Sequence, residues 1–172
     1  MAEDLAASKP ALYVQFWTRY TERVQQAHPE WTNARRAATL NHYWNHDSLP
    51  SPFKRRTGSD ASSRFRAWYD ASFTAEGKLR HSLYIDAVDP DDVETLYQFL
   101  EGRRQKIGDV YGRRLDWEPS VPGRRQSRIG EYGYGVVTRV AEHEAYTDWL
   151  LDAGLRLRAA LAEPAREWMY VA

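Results

Sequence analysis

The sequence predicts a single α+β domain, an antiparallel sheet built from two hairpins and packed against three main helices in the order α-β-β-α-β-β-α. Three observations predict it. Phe65, Ala67, Tyr69, Ala71 and Phe73 alternate with Arg64, Arg66, Trp68, Asp70 and Ser72, the period of two that a half-buried strand requires. Asp89-Pro90-Asp91-Asp92 supplies a capping Asp, a Pro suited to a first helical position, and acids at the positive end of a helix dipole. Apolar residues recur at helical spacing near both ends of the chain, as Leu12, Phe16, Trp17, Tyr20 and Val24 and again as Tyr146, Leu150, Ala153, Leu157 and Leu161.

In chain order, residues 1–8 read as a frayed start. Pro10 opens a first helix over about 10–27, and His28-Pro29 ends it. Residues 29–62 carry the weakest pattern: Ala34–Leu40 suits a helical turn or two, the prolines at 50 and 52 exclude regular helix, and about 57–62 reads as a flexible loop. Glu76-Gly77 turns the first hairpin, and Leu79, His81, Leu83 and Ile85 continue the inward face of the returning strand. A helix of about 20 residues then runs from Pro90 on Val93, Leu96, Leu100, Ile107 and Val110, and Gly112 ends it. Leu115-x-Trp117 starts the second hairpin, Pro122-Gly123 turns it, and Ser127-x-Ile129 returns through a glycine-spaced stretch that Val136-Val137 continues as strand. The last helix spans about 142–161 and stops at Pro164, and the apolar tail around Trp168 packs on the body.

The 172 residues suffice for one core, and an aromatic content of 13%, with seven Trp and eleven Tyr, lets large rings build it. The absence of Cys excludes a disulfide framework, a Cys-ligated zinc and a thiol nucleophile. No apolar stretch approaches the roughly 18 residues of a membrane-spanning helix, and the acidic start lacks a signal-peptide pattern, so no membrane partner and a cytoplasmic location are expected. The zero net charge hides segregation: residues 51–81 carry seven Lys/Arg against three acids, 82–102 six acids and no Lys/Arg, and 103–128 eight Lys/Arg against three acids. Such segregation focuses a field even in a neutral molecule, and its plain alternative is solvated faces of differing sign.

Leu83-Tyr84-Ile85-Asp86, Leu96-Tyr97-x-Phe99-Leu100, the run from Lys106-Ile107-Gly108 through Tyr111-Gly112 to Leu115-Asp116-Trp117-Glu118, and Arg125-x-Ser127-Arg128-Ile129 occur in an order that resembles the prokaryotic family of domain of unknown function 4268. Phe16-Trp17-Thr18 and Trp149-Leu150-Leu151 fit the same pattern, so the resemblance covers about residues 10–162, while 41–62 departs from it most. The family has no established activity, and its members resemble modules that accompany restriction-endonuclease-like domains. The resemblance implies, by association, a setting near DNA or in defence.

No catalytic constellation emerges. Asp70 with Glu76-x-Lys78 matches the letters of a metal-dependent nuclease, which needs carboxylates on Mg²⁺ and a nearby Lys. Glu76 sits at the hairpin turn, however, where turning is the simpler reason for it. His42 and His46, spaced i, i+4 beside Asp47, lack a third ligand. His81 alternates inward with leucines and reads as a core histidine. Gly130-x-x-Gly133-x-Gly135 precedes no phosphate-binding helix and reads as glycines of a bent strand. No cofactor and no metal site are expected.

What remains is a basic, aromatic-bearing surface. Lys54, Arg55 and Arg56 precede the first strand, Arg64 and Arg66 share its outer face with Trp68, and Arg124, Arg125 and Arg128 flank the second hairpin near Trp117, Tyr132 and Tyr134. Guanidinium groups bind phosphates and exposed rings stack on bases. The expectation is therefore a non-catalytic module that contacts DNA or RNA through Arg55, Arg64, Arg66, Trp68, Arg124, Arg125 and Arg128, or associates with a nuclease. Its rivals are a protein-interaction or homodimerisation module, since Trp, Tyr and Arg dominate interface hot spots, and the metal-dependent nuclease. The expectation requires those arginines to share one wall of the molecule without being neutralised by carboxylates.

Overall fold

The computed structural model describes residues 8–32, 43–45, 53, 65–122 and 125–171. Its helices are α1 (Lys9–Ala27), α2 (Pro90–Glu101), α3 (Arg104–Tyr111) and α4 (His143–Val171), and its strands are β1 (Tyr43–Asn45), β2 (Phe65–Phe73), β3 (Lys78–Ala87), β4 (Asp116–Glu118) and β5 (Gln126–Tyr134). The strands form one antiparallel sheet in the order β1-β2-β3-β5-β4. This is the α+β arrangement of two hairpins under helices that the pattern predicts, with a short edge strand, β1, added beside β2. Three residues with no apolar alternation carry no strand signal of their own. Their pairing with Asp70–Ser72 supplies it.

All the helices cover one face of the sheet, in two adjoining cores. Phe16, Trp17, Tyr20 and Val24 of α1 pack with Phe73, Leu79 and Leu150. Val93, Leu96, Leu100, Ile107, Leu157 and Leu161 pack with Leu83, Ile85 and Ile129. Each of these residues is buried, and the two sets use the strand positions that the period-two alternation assigns to the inner face.

Local signals place the element starts. The Ser8 hydroxyl accepts a hydrogen bond from the Ala11 amide at 3.5 Å ahead of α1, and the Asp89 carboxylate accepts one from the Asp91 amide at 3.0 Å ahead of α2. Gly77 (φ 73°) turns the first hairpin and Gly112 (φ 77°) closes α3, both in the left-handed region that favours glycine.

Three boundaries differ from expectation. The helix expected over about 20 residues breaks at Gly102-Arg103, where the Arg103 amide bonds the Leu100 carbonyl at 2.9 Å in a tighter turn. The Arg103 side chain holds that break: it lies 3.7 Å over the Phe99 ring, reaches the Phe99 carbonyl at 3.0 Å and pairs with Glu167 at 2.6 Å. The last helix does not stop at Pro164 but runs through it to Val171. An internal proline costs about 3 kcal/mol or more, and the continuation is held by Trp168, which is buried and meets Phe99 edge-on at 5.0 Å. Finally, Val136-Val137 does not extend the strand. The Gly135 amide bonds Gly77 at 3.1 Å, Val137 turns into the core, and its carbonyl meets His143 Nε2 at 2.7 Å. The loop expected at about 57–62 and residues 1–7 lie outside the described residues, while Ser8, expected within a frayed start, caps α1.

Candidate functional site

Because α1 to α4 lie on one side, no helix among the described residues covers the other face of the sheet. The residues on it follow from register. Trp68 on β2 lies opposite Tyr84 on β3, Tyr84 opposite Arg128 on β5, and Arg128 opposite Glu118 on β4, a ladder across four strands. Beside it runs the row Asp70, Ser82, Gly130 and Asp116, and beyond that Ser72, Arg80 and Tyr132.

The ladder is physically continuous. The Trp68 and Tyr84 rings lie 4.6 Å apart at 38°, and the Arg128 guanidinium lies 4.6 Å from the Tyr84 centroid. Arg128 also meets the Glu118 carboxylate at 3.7 Å. The Tyr132 hydroxyl donates to Glu118, and Lys78 and Arg80 lie 5.8 and 5.9 Å from the Tyr132 ring. Burial, and then the Glu118 carboxylate, raise the Tyr132 pKa above its ordinary value, so the phenol keeps its proton as a donor.

Of the residues the sequence nominates, Arg66, Trp68 and Arg128 share this face and Arg125 lies exposed just before β5. Arg66 is exposed and opposite Asp86 in register, and Trp68 and Arg128 are half-buried in the ladder. Arg55, Arg64 and Arg124, with Lys54 and Arg56, lie outside the described residues. Register thus places two of the nominated arginines, Arg66 and Arg128, on one face with Trp68. The requirement that carboxylates leave them alone is not met, since Arg128 is paired with Glu118. Two further expectations are corrected. Asp70 and Ser72 are buried rather than solvated: Asp70 accepts from the Ser82 hydroxyl and pairs with Arg80 at 3.3 Å. Burial opposes the charge on Arg80, but Asp70, Tyr132 and Glu118 together outweigh it, and the Arg80 pKa rises. Trp117, opposite Ile129 in register, turns toward the helices, where Tyr97 meets it edge-on at 6.1 Å and Arg104 lies 5.4 Å from its ring.

Three residues of the face escaped the sequence reading: Lys78, Arg80 and Tyr84. Their signal was present, because they alternate with Leu79, His81, Leu83 and Ile85 along β3 and so must point to the opposite side.

Where β3, β4 and β5 meet the β4–β5 connection, an open groove of about 730 Å³ is lined by Asp86, Glu118, Arg125, Gln126 and Arg128, with Trp117, Pro119 and Val121 supplying apolar surface. On the helix side, His81 is buried between strands and α4, and burial followed by the nearby Arg158 holds its pKa well below the usual value. Arg158 lies 3.8 Å over Trp31 and 4.1 Å over Tyr69, and burial lowers its pKa to about 10, which still leaves it charged at neutral pH.

The Asp70, Glu76 and Lys78 set does not form a common site. Glu76 pairs with Lys78 at 3.0 Å at the hairpin tip, whereas Asp70 lies three residues further down β2 than its end, roughly 10 Å along the strand. Among the described residues no three His, Asp or Glu side chains converge as metal ligands. His42 and His46 lie outside the described residues.

Residues 12–165, nearly the whole length, fit the family model of the domain of unknown function DUF4268. The chain belongs to the DUF4268 family. No curated protein and no solved structure matches it. Among the described residues no helix of this DUF4268 domain is long and apolar enough to cross a membrane.

Proposed function

We propose that this DUF4268 domain is a non-catalytic module that binds single-stranded nucleic acid on the sheet face opposite α1 to α4. The observation that carries the reading is the Trp68–Tyr84–Arg128 ladder. Half-buried rings beside guanidinium groups on the sheet face opposite the helices offer stacking surface for bases, with cations at the margins for phosphates. Arg66, Lys78 and Arg125 are exposed around the ladder, and Lys78 is shared with Glu76. Such a module would work in the cytoplasm of a prokaryote in a DNA-related or defence setting, alone or beside a nuclease.

The test is fluorescence anisotropy with labelled single strands across a salt series. Two phosphate contacts, from Arg66 and Lys78, imply a slope of roughly −1.4 in log K against log salt. No binding at low salt, or binding indifferent to salt, overturns the proposal.

One observation favours a second reading, a protein partner or a homodimer. Asp70, Asp86, Asp116 and Glu118 interleave with the cations, so the face is close to charge-balanced, as protein interfaces often are. Light scattering in low and high salt separates the two: a stable dimer without oligonucleotide binding supports the interface reading.

A further inference from the structure

The groove beside the ladder has a composition that phosphates do not explain. A polyanion site would exclude carboxylates, yet Asp86 and Glu118 line it together with Arg125 and Arg128. Glu118 is already engaged, accepting from Tyr132 and meeting Arg128 at 3.7 Å. That leaves Asp86, an acceptor pair opposite Gln126 in register, and Arg125, a forked donor set one residue before Gln126, in one groove whose apolar surface comes from Trp117, Pro119 and Val121. Its volume of about 730 Å³ lies within the range of ligand-sized sites and comfortably admits one nucleobase.

Resting on the nucleic-acid reading above, we infer that this groove takes an unpaired guanine. Guanine is the base whose Watson–Crick edge offers two adjacent donors, N1–H and the N2 amino group, which match the two oxygens of a carboxylate. Its other edge offers the acceptors O6 and N7, the pair an arginine fork reads bidentately. Adenine and cytosine each carry an acceptor ring nitrogen where a carboxylate needs a donor, and thymine or uracil carries one donor flanked by two carbonyls. Asp86 therefore reads N1–H and N2, Arg125 reads O6 and N7, and the apolar wall covers the face of the ring. The phosphates on either side fall to the exposed cations outside the groove, which keeps like charges away from Asp86 and Glu118.

The experiment uses labelled thymine or uracil 12-mers, as DNA and as RNA, each with one central guanine, adenine, cytosine, inosine or 7-deazaguanine, measured by anisotropy on the full chain. The guanine strand should bind about tenfold more tightly than the adenine and cytosine strands, in line with the discrimination of one good bidentate contact. Inosine, lacking N2, and 7-deazaguanine, lacking N7, should each lose several-fold. Asp86→Asn should remove the difference between guanine and inosine, and Arg125→Ala the difference between guanine and 7-deazaguanine, with circular dichroism confirming the fold of each. Equal affinity for all five bases, with salt-dependent binding intact, overturns the guanine site and leaves the nucleic-acid reading standing. Absence of binding to every strand overturns both. The DNA and RNA series together show which backbone the domain accepts.

Discussion

His81 offers a quantitative test of the packing between β3 and α4. Its side chain is 1% exposed, and burial, followed by the field of Arg158, holds its pKa well below the ordinary 6.5. In the unfolded chain His81 regains that ordinary value, so at mildly acid pH the unfolded state binds a proton that the folded state refuses. Stability is then fully present above about pH 6.5 and falls as pH drops below it, toward the depressed folded value. From pH 8 to pH 5.5 the loss from this one group is about 1.4 kcal/mol, the free energy of protonating the unfolded imidazole across that interval. The carboxylates whose pKa values are lowered, Glu142 and Glu163, titrate below this window and leave it clear. Of the groups near His81, Arg158 and Tyr69 keep their charge state there, since burial raises the Tyr69 pKa to about 12, and Glu131 lies opposite His81 in register. Urea unfolding at pH 8, 6.5 and 5.5, for the natural protein and for His81→Leu, reads the effect directly. The natural protein should lose about 1.4 kcal/mol more than the variant over that range. Parallel pH dependence in the two proteins would refute the claim that this imidazole is kept neutral by its surroundings.

Other expectations follow from the same geometry. Gly130→Ala puts a Cβ 2.5 Å from the His81 carbonyl oxygen and 2.5 Å from Ser82 Cβ, neither of which can rotate away, so the strands must part. The loss should be about 3 kcal/mol or more, seen as a lowered urea midpoint or insoluble expression. Trp168→Ala should cost roughly 3–5 kcal/mol by emptying the space against Phe99 and should loosen α4 beyond Pro164, detected as faster amide exchange there. Unchanged exchange would mean that Pro164 is tolerated for another reason. Trp68→Ala should weaken single-strand binding by roughly 10-fold or more through lost stacking. Its urea midpoint should move less than that of Trp168→Ala, because Trp68 is only half-buried.

Much of the architecture was legible because it depends on neighbours a few residues apart. Alternation along Phe65–Phe73 and Lys78–Ala87 sorts side chains onto two faces, and Asp89-Pro90 and Gly112 mark helix ends by backbone chemistry that needs no partner elsewhere. The errors share a cause. Arg103 breaks a helix because Glu167, sixty-four residues away, holds its guanidinium, and Pro164 fails to end one because Trp168 finds Phe99. Both local penalties are a few kcal/mol, small enough for one buried aromatic or a charge-assisted hydrogen bond to offset. The candidate site followed the same division. Arg66, Trp68 and Arg128 could be assigned to one face, whereas the partnership of Arg128 with Glu118 and Tyr84 needed the pairing of β5 between β3 and β4.

The sequence by itself determined which side chains face the helices and which face away, since strand period and helix period are properties of the backbone. Only the tertiary structure decided which carboxylate each arginine meets and that a groove opens beside the paired rings. Those depend on strand order and on contacts between residues far apart in the chain, whose strength rests on burial and distance rather than on residue type.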